Sequence, residues 1–495
     1  MTVAHANART EVIVDGDLPV PRPDELLIGG RWVPSTGGVC EPVVSPATER
    51  AVAEVVMPTI ADADAAVGAA AEAFGMEWPV WPVERRVEIC GRFCELLEQR
   101  LDRIGELWAV EAGIPVRWGR TLHRFAATTA WRTALAVAES ALAVEIRQTP
   151  VGDVRIEHEP VGPVVAIMPY NGPLPTIGCK VVPALLAGST VVVKAAPESA
   201  LTMRVVSDCA AEAGFPPGVL SILAADTEVS QALVRDPRVE MISFTGGPRA
   251  AADILRQSAD NLARTVFELG GKSPAVLLDD ADLDASLRAL VAGAMSGAGQ
   301  VCAALSRILV PASRHDEIVD AVAGAYRGLR IGDPRAPKTD HGPLANRAAF
   351  DRTGEFVDGA RARGAVAVTG GQRPPEFDAG FFYEPTLLVN VGEDDPVVRR
   401  EVFGPVTVVL PYADVDDAVR LANDTDYGLA ASVFSADRDR GLAVARRIRA
   451  GSVALNTFGP TMATPFGGVK RSGWGRECGP EGIREFAATK QVLLG

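Results

Sequence analysis

The sequence predicts an α/β protein with two parallel-sheet domains, and two observations carry that prediction. Through the middle of the chain short apolar runs alternate with amphipathic stretches, the pattern of β-α-β units. From Ser273 the pattern restarts and continues nearly to the C-terminus, giving two α/β units of roughly 200 residues each, an ordinary domain size.

The elements follow in order. Before Pro160 stand long helical patterns, "ADADAAVGAAAEAF", "ERRVEICGRFCELLEQRL" and an Ala-rich one ending near Val144. Between them and the first sheet strand, "RQTPVGDVRIEHEP" reads as a polar ribbon reaching outward. The first sheet takes "VVAIM" (164–168), the turn "PYNGP" with a helix to about Ala187, and "TVVVKA" (190–195). The helix "LTMRVVSDCAAEAG", "PPGVLSIL", "EMISFTGG" (240–247), the helix "PRAAADILRQSADNLA" and "RTVFELGGK" (264–272) complete it. An open sheet of this kind binds nucleotides at its strand ends.

The second unit opens with the strand "PAVLLDD" and the helix "ADLDASLRALVAGAM". Asp282 is its expected cap, and Leu283, Leu287, Leu290, Val291 and Ala294 fall on one face. That helix delivers the chain to "SGAGQVC". After it come "RILVP", the helix "HDEIVDAVAGAYRGL", "GAVAVTGG", "VTVVLPYA", the helix "DVDDAVRLAND", "AASVFS", a further helix and "GSVALN".

Composition limits the functions open to such a fold. A net charge of −14 over 495 residues, with no basic block or stripe, repels nucleic acid and anionic membrane surfaces. The opening 25 residues have no apolar segment behind a basic start, and no later apolar run would span a bilayer, so a cytoplasmic protein is expected. The seven cysteines (40, 90, 94, 179, 209, 302, 478) lack metal-ligand or CxxC spacing; reduced thiols and no metal are expected. No GxGxxG fingerprint opens a helix, and the nearest feature is the strand-glycine-helix junction "FTGGPRAA" (244–251).

Read one at a time, the chemistry-bearing residues are bland. Cys302 among small residues is an inert buried thiol, Glu268 a strand-end carboxylate, Asn171 a turn residue. Read together, "PVGPVVAIMPYNGP", "VVVKAAPES", "ISFTGG", "ELGGKSPAVLLDDADLD", "GQVCAALSR", "REVFGPV", "NDTDYGLAASVFS" and "PFGGVKRSG" stand in one order over nearly the whole chain. In that order they resemble the aldehyde dehydrogenase superfamily.

The resemblance implies two Rossmann-related parallel-sheet domains plus a small oligomerisation ribbon. Residues 24–144 and 160–269 would bind coenzyme, 270–478 would be catalytic, 145–159 and 479–495 would form the oligomerisation element of a homodimer or homotetramer, and 1–23 would be an N-terminal extension. It also implies NAD or NADP as coenzyme and a small-molecule aldehyde as substrate.

It assigns roles to residues as well. Cys302 matches the nucleophile that adds to the aldehyde carbonyl, Asn171 with the Cys302 backbone N–H matches the oxyanion hole, and Glu268 matches the base that activates water against the thioester. Lys180 and Glu477 match residues linked to proton transfer. For the coenzyme, the matching positions are Met168, Pro169, Tyr170, Lys194, Gly246, Gly247, Leu269, Glu401 and Phe403. Two departures stand out: Pro197 occupies the position of a ribose-binding glutamate, which leaves NAD against NADP open, and Gly247 and Ala251 replace a serine and a later glycine of the phosphate turn.

The pocket positions are Gly172, Thr176, Cys179, Val301, Phe458 and Phe466, with Met462 beside them. Gly172 stands where relatives acting on small or cationic substrates often place an aromatic ring, which implies room for a bulky apolar or aromatic aldehyde. A coenzyme-A-acylating relative or a non-enzymatic homologue is the alternative. Glu268 counts against the first, and intact Asn171, Glu268, Cys302 and Glu401 count against the second. The five histidines (5, 123, 158, 315, 341) sit in none of these motifs, which disfavours a Cys–His hydrolase.

Overall fold

Strands rich in Val, Ile and Leu on both faces must be covered on both faces, and the first sheet is built around five largely buried strands. Its centre is parallel, in the order Arg264–Leu269, Met241–Gly246, Pro163–Met168, Thr190–Ala195, Leu220–Ala224. Antiparallel edges complete eight strands: Gly473–Trp474 beside Arg264–Leu269 at one side, Glu25–Ile28 and Arg31–Pro34 at the other. The computed structural model describes residues 11–14 and 18–494. Residues 1–10 and 15–17 of the expected N-terminal extension, with His5, and the terminal Gly495 lie outside the described residues.

The chain enters the parallel centre of this sheet at Pro163–Met168, winds outward through Thr190–Ala195 and Leu220–Ala224, then returns to add Met241–Gly246 on the other flank of Pro163–Met168. Strand order therefore reverses between Pro163–Met168 and Met241–Gly246, and a crevice opens where the two strands end. The helices Ile60–Phe74, Val83–Glu98, Leu101–Ala112, Thr128–Ala141 and Ala200–Ala213 cover the sheet with small and aliphatic side chains. The last of these starts without a side-chain cap of its own; the buried Glu111 carboxylate accepts from the amides of Leu201 and Thr202 at 2.6 and 2.9 Å.

The second sheet has seven strands in the order Val366–Thr369, Thr386–Val389, Val406–Tyr412, Arg307–Pro311, Pro274–Leu277, Ala430–Phe434, Ser452–Leu455, all parallel except the first pair. Asp282 caps Leu283–Met295 as expected, accepting from the Ala285 amide at 3.1 Å. Leu290 and Ala294 are buried on that helix, with Leu283, Leu287 and Val291 packed beside them.

The polar ribbon is the hairpin Glu145–Thr149 and Gly152–Pro160, and Ala487–Leu494 pairs with it antiparallel along its whole length. Helix Gly479–Arg484 and Phe486 instead join the core of the first unit, where Ile483 is fully buried. By packing, the outlying element thus begins at Ala487. Gly473–Trp474 likewise belongs to the first sheet although the chain reaches it from the second. Among the described residues no helix is long and apolar enough to cross a membrane, and no group of three or more His, Cys, Asp or Glu side chains is placed to hold a metal ion.

Candidate active site

Alternation along the strand Arg264–Leu269 sends its last two side chains to opposite faces. Leu269, in register with Gly246, lines the crevice; Glu268, in register with Thr245, points away from Leu269 and is buried. The two glycines that follow let the strand end approach its neighbours closely. A Cβ on Gly270 would stand 2.0 Å from Glu401 Oε2, and one on Gly271 would stand 2.6 Å from the Cys302 carbonyl oxygen. No larger residue fits at either position without moving those groups.

Cys302 arrives on a tight turn. After Leu283–Met295 the backbone runs through left-handed Gly297, Ala298 and Gly299, with φ of 57°, 56° and 72°. Gln300 then ties the turn to its surroundings. Its side-chain oxygen accepts from the Tyr170 hydroxyl at 2.9 Å and the Ala345 amide at 3.1 Å, and its backbone oxygen accepts from Asn171 Nδ2 at 2.8 Å. An Asn amide carries two N–H groups, so the second remains for another acceptor near Cys302. Trp108 Nε1 holds the facing turn at Asn171, donating to the Tyr170 carbonyl at 2.8 Å.

The crevice is a cleft of about 870 Å³. Pro169, Tyr170, Asn171, Gly246, Gly247, Leu269, Cys302, Glu401 and Phe403 all line it. Of the remaining expected coenzyme positions, Met168 is buried at the end of its strand and Lys194 stands near the end of the adjacent one. Thr245, Asn346 and the arginines 249, 352, 399, 400 and 471 line the cleft too, and the sequence reading did not find them. Arg399 is paired with Asp394 and Asp424 and Arg471 with Asp426, and the remaining three guanidinium groups suit an anionic ligand.

Several features fit a dinucleotide in this cleft. Helix Pro248–Gln257 begins at Gly247 with no side-chain cap, so its first amides face the cleft wall, and a Cβ on Gly247 would meet nothing within 4 Å. The buried Thr245 Oγ1 has no hydrogen-bond partner. Phe403 holds a strained left-handed φ of 55°, with its ring edge-on to Tyr170 at 6.3 Å. The Glu198 carboxylate is already engaged by Asn346 Nδ2 at 2.7 Å.

Electrostatics divide the titratable groups. Burial, then the charges of Glu401 and Glu268, push the half-buried Cys302 thiol up to about 12, so it rests protonated. Burial and the Glu477 charge hold Glu268 well above the usual carboxylate range, with Lys180 opposing; both Glu268 oxygens are buried without a hydrogen-bond partner. Glu401 is raised to about 7 by burial, partly offset by the Gly271 amide and Lys272. Burial lowers Lys194 to about 8 against the pull of Glu198 and Asp226.

The expected pocket residues separate. Cys179 and Phe466 pack in one apolar cluster with Leu429 and Cys478, against which Val301, Cys302 and Met462 also lie. Gly172 and Thr176 flank the turn at Asn171, where Thr176 Oγ1 donates to the Gly172 carbonyl at 2.8 Å. Phe458 lies elsewhere, against Gly293 and the cluster of Leu290 and Leu305.

Residues 32–492 match the aldehyde dehydrogenase family. The chain is 36% identical over 471 residues to the geranial dehydrogenase of Castellaniella defragrans, covering 95% of this chain and 98% of that one. It is also 36% identical to a 3-succinoylsemialdehyde-pyridine dehydrogenase of a Pseudomonas species, with the same coverage of both chains. A crystal structure of a Mycobacterium tuberculosis aldehyde dehydrogenase complexed with NAD+ superposes with a TM-score of 0.93 at 38% identity, covering 95% of this chain and 98% of that one. The protein belongs to the aldehyde dehydrogenase family.

Proposed function

We propose that the protein oxidises a bulky, mainly apolar aldehyde to the carboxylic acid, with NAD or NADP as hydride acceptor, through covalent intermediates on Cys302. The observation that carries this reading is the convergence of Cys302, Asn171 and Glu401 on one cleft at the reversal of strand order, with Glu268 on the far face of the neighbouring strand.

The chain's own groups account for the steps. The Cys302 thiol, held protonated at rest, gives its proton to a base as the sulfur attacks the carbonyl carbon. A carboxylate raised as far as Glu268 is strong enough to share in that transfer. The free N–H of Asn171 and the Cys302 amide hold the oxyanion of the thiohemiacetal, and loss of one such donor costs on the order of 10²–10³ in rate. Bound in the cleft, the nicotinamide coenzyme supplies the hydride acceptor. Leu269, Glu401 and Phe403 would hold its reactive end and the amides after Gly247 its phosphates. Glu268 then takes a proton from water attacking the thioester, and the acid leaves.

An aldehyde with apolar bulk is supported by the open space at Gly172 and by the sulfur- and phenyl-lined cluster beside Cys302. The similarity to a geranial dehydrogenase agrees with it. Assembly into a homodimer or homotetramer is supported by the exposed edge strand Glu145–Thr149 and the exposed Ile146, Val151 and Leu493 on the ribbon.

Reduced nicotinamide is to be followed with aromatic, branched, terpenoid and short aldehydes, with each coenzyme, for the wild type beside Cys302→Ala. Turnover without coenzyme A that the substitution abolishes is expected. Turnover only with coenzyme A present would transfer the reading to acyl transfer.

A further inference from the structure

Two cysteines that the reaction does not use meet beside its nucleophile. Cys179 Sγ and Cys478 Sγ lie 3.1 Å apart although 299 residues separate them in sequence, and Met462 Sδ is 3.8 Å from Cys478 Sγ. Both thiols are buried, at 3% and 2% exposure. The contact continues a second one: Lys180 and Glu477, the residues next in sequence to these two, form the ion pair at 2.5 Å. One rung of the pair of segments is therefore ionic and the next is sulfur on sulfur. Cys179 sits in the irregular segment Ile177–Val181, within the helical stretch that starts after Asn171, and Cys478 has a left-handed φ of 63°.

We propose that Cys179 and Cys478 are a reversible modification site, a dithiol that a peroxide converts to a disulfide. In the first step one thiol sulfur attacks the peroxide O–O bond, giving a sulfenic acid and water. In the second, the other thiol sulfur displaces hydroxide from the sulfenic sulfur, forming the S–S bond and a second water. Two thiols lose two electrons and two protons in all, and one hydrogen peroxide becomes two waters. A dithiol reductant reverses the modification by exchange.

The geometry favours the second step. A disulfide bond is about 2.05 Å long, so the sulfurs need approach by only about 1 Å. Once one is oxidised the other is held against it, which outpaces overoxidation or attack by a thiol from solution. The first step is slow, because contact with Cys478 and burial hold the Cys179 thiol well above its ordinary value. The site thus responds to sustained peroxide. Closure draws together two segments that wall the apolar cluster against which Cys302 packs. An effect on aldehyde binding follows, and that consequence alone rests on the proposed substrate pocket.

The test treats the full-length Cys302→Ala variant with hydrogen peroxide, alkylates free thiols under denaturing conditions, and maps peptides by mass. A peptide pair joined through Cys179 and Cys478 is expected, lost on treatment with dithiothreitol and absent from Cys302→Ala/Cys478→Ser. Recovery of both cysteines alkylated, or oxidised separately to sulfinic acids, while Met462 becomes sulfoxide, would overturn the proposal. A second arm treats the wild type and measures KM for a long apolar aldehyde in material whose peptide map shows Cys302 free. A KM rise of about tenfold that dithiothreitol reverses is expected. A mapped cross-link with unchanged KM would keep the modification site and overturn the placement of the substrate pocket.

Discussion

The Lys180 ammonium lies 2.5 Å from Glu477 Oε1 and 3.1 Å from Ser243 Oγ, and solvent reaches neither member of this ion pair to any useful extent. Glu268, raised first by its burial, sits in the field of both charges, raised further by Glu477 and lowered by Lys180. The pair therefore adjusts the base strength of a residue it does not hydrogen-bond.

Opposite pH shifts follow for the two partners. A general base works as carboxylate, so under the proposed role of Glu268 thioester hydrolysis is expected to speed up as pH rises through its folded-state pKa. Glu477→Gln removes a negative neighbour and moves that rising limb to lower pH. Lys180→Met removes a positive one and moves it to higher pH. Each variant also loses about 3–5 kcal/mol of stability, because a buried charge is left unpaired. Single-turnover hydrolysis followed against pH separates the two effects, and movement of both limbs in one direction would sink the argument.

Glu268→Gln is expected to cost activity and increase stability. A carboxyl raised in the folded state binds its proton more tightly there than in the unfolded chain. Stability is then full below the unfolded-state pKa and falls as pH rises toward the folded-state value. At pH 8 the wild type carries that loss. The amide variant does not, and it should gain about 1.4 kcal/mol for each pH unit that separates the unfolded-state pKa from the folded-state one, counted up to pH 8. Thermal melts of both proteins at pH 5 and pH 8 check this; the gain should shrink at the lower pH.

What the sequence made legible follows from how each element is covered. Strands buried on both faces are apolar over most of their length, so Pro163–Met168, Thr190–Ala195 and Arg307–Pro311 stand out as runs. Glu25–Ile28 and Arg31–Pro34 are not legible because short flanking strands among prolines and charges carry no such run, and Thr386–Val389 because its run is only four residues long. Helix Arg347–Ala362 was missed for another reason. Its buried stripe is Ala349, Thr353, Val357 and Ala360, correctly spaced but too small and polar to register as amphipathic. Arg352 and the cap Asn346 went unseen with it, and with them part of the cleft. Cys302, Asn171 and Glu401 were found through motif order, and the structure brings them to one cleft. The Cys179–Cys478 contact spans 299 residues and leaves no local trace at all.

Gly172 offers a substitution with a built-in direction. Its φ of −167° is extended backbone that any residue adopts, and a Cβ there would meet nothing within 4 Å. Gly172→Phe should fold normally and fill the space beside Asn171. The ratio of kcat/KM for a long apolar aldehyde over that for a short one is expected to fall by about 10–200-fold, the range over which an apolar pocket discriminates by size. An unchanged ratio with both substrates slowed equally would mean that the space at Gly172 is not where the substrate lies.

Coenzyme binding should weaken with alkali in a way that depends on the coenzyme. Lys194 stands in register with Ile167, near the end of a strand bordering the first strand of the sheet, and burial has lowered it to about 8. The form that attracts a phosphate or ribose oxygen is the ammonium, and it is lost as pH rises through that value. No carboxylate stands at Pro197 to repel a 2′-phosphate, and Glu198 is occupied by Asn346. NADP, with one more anionic group for the ammonium to pair with, should therefore lose affinity more steeply than NAD. The limit for a single proton is about tenfold per pH unit above the pKa of the free protein. Lys194→Ala should flatten both profiles and bring the two coenzymes closer in affinity. Titration of the Cys302→Ala variant with each coenzyme across this range measures binding without turnover; parallel profiles that Lys194→Ala leaves unchanged would place the coenzyme's ribose away from Lys194.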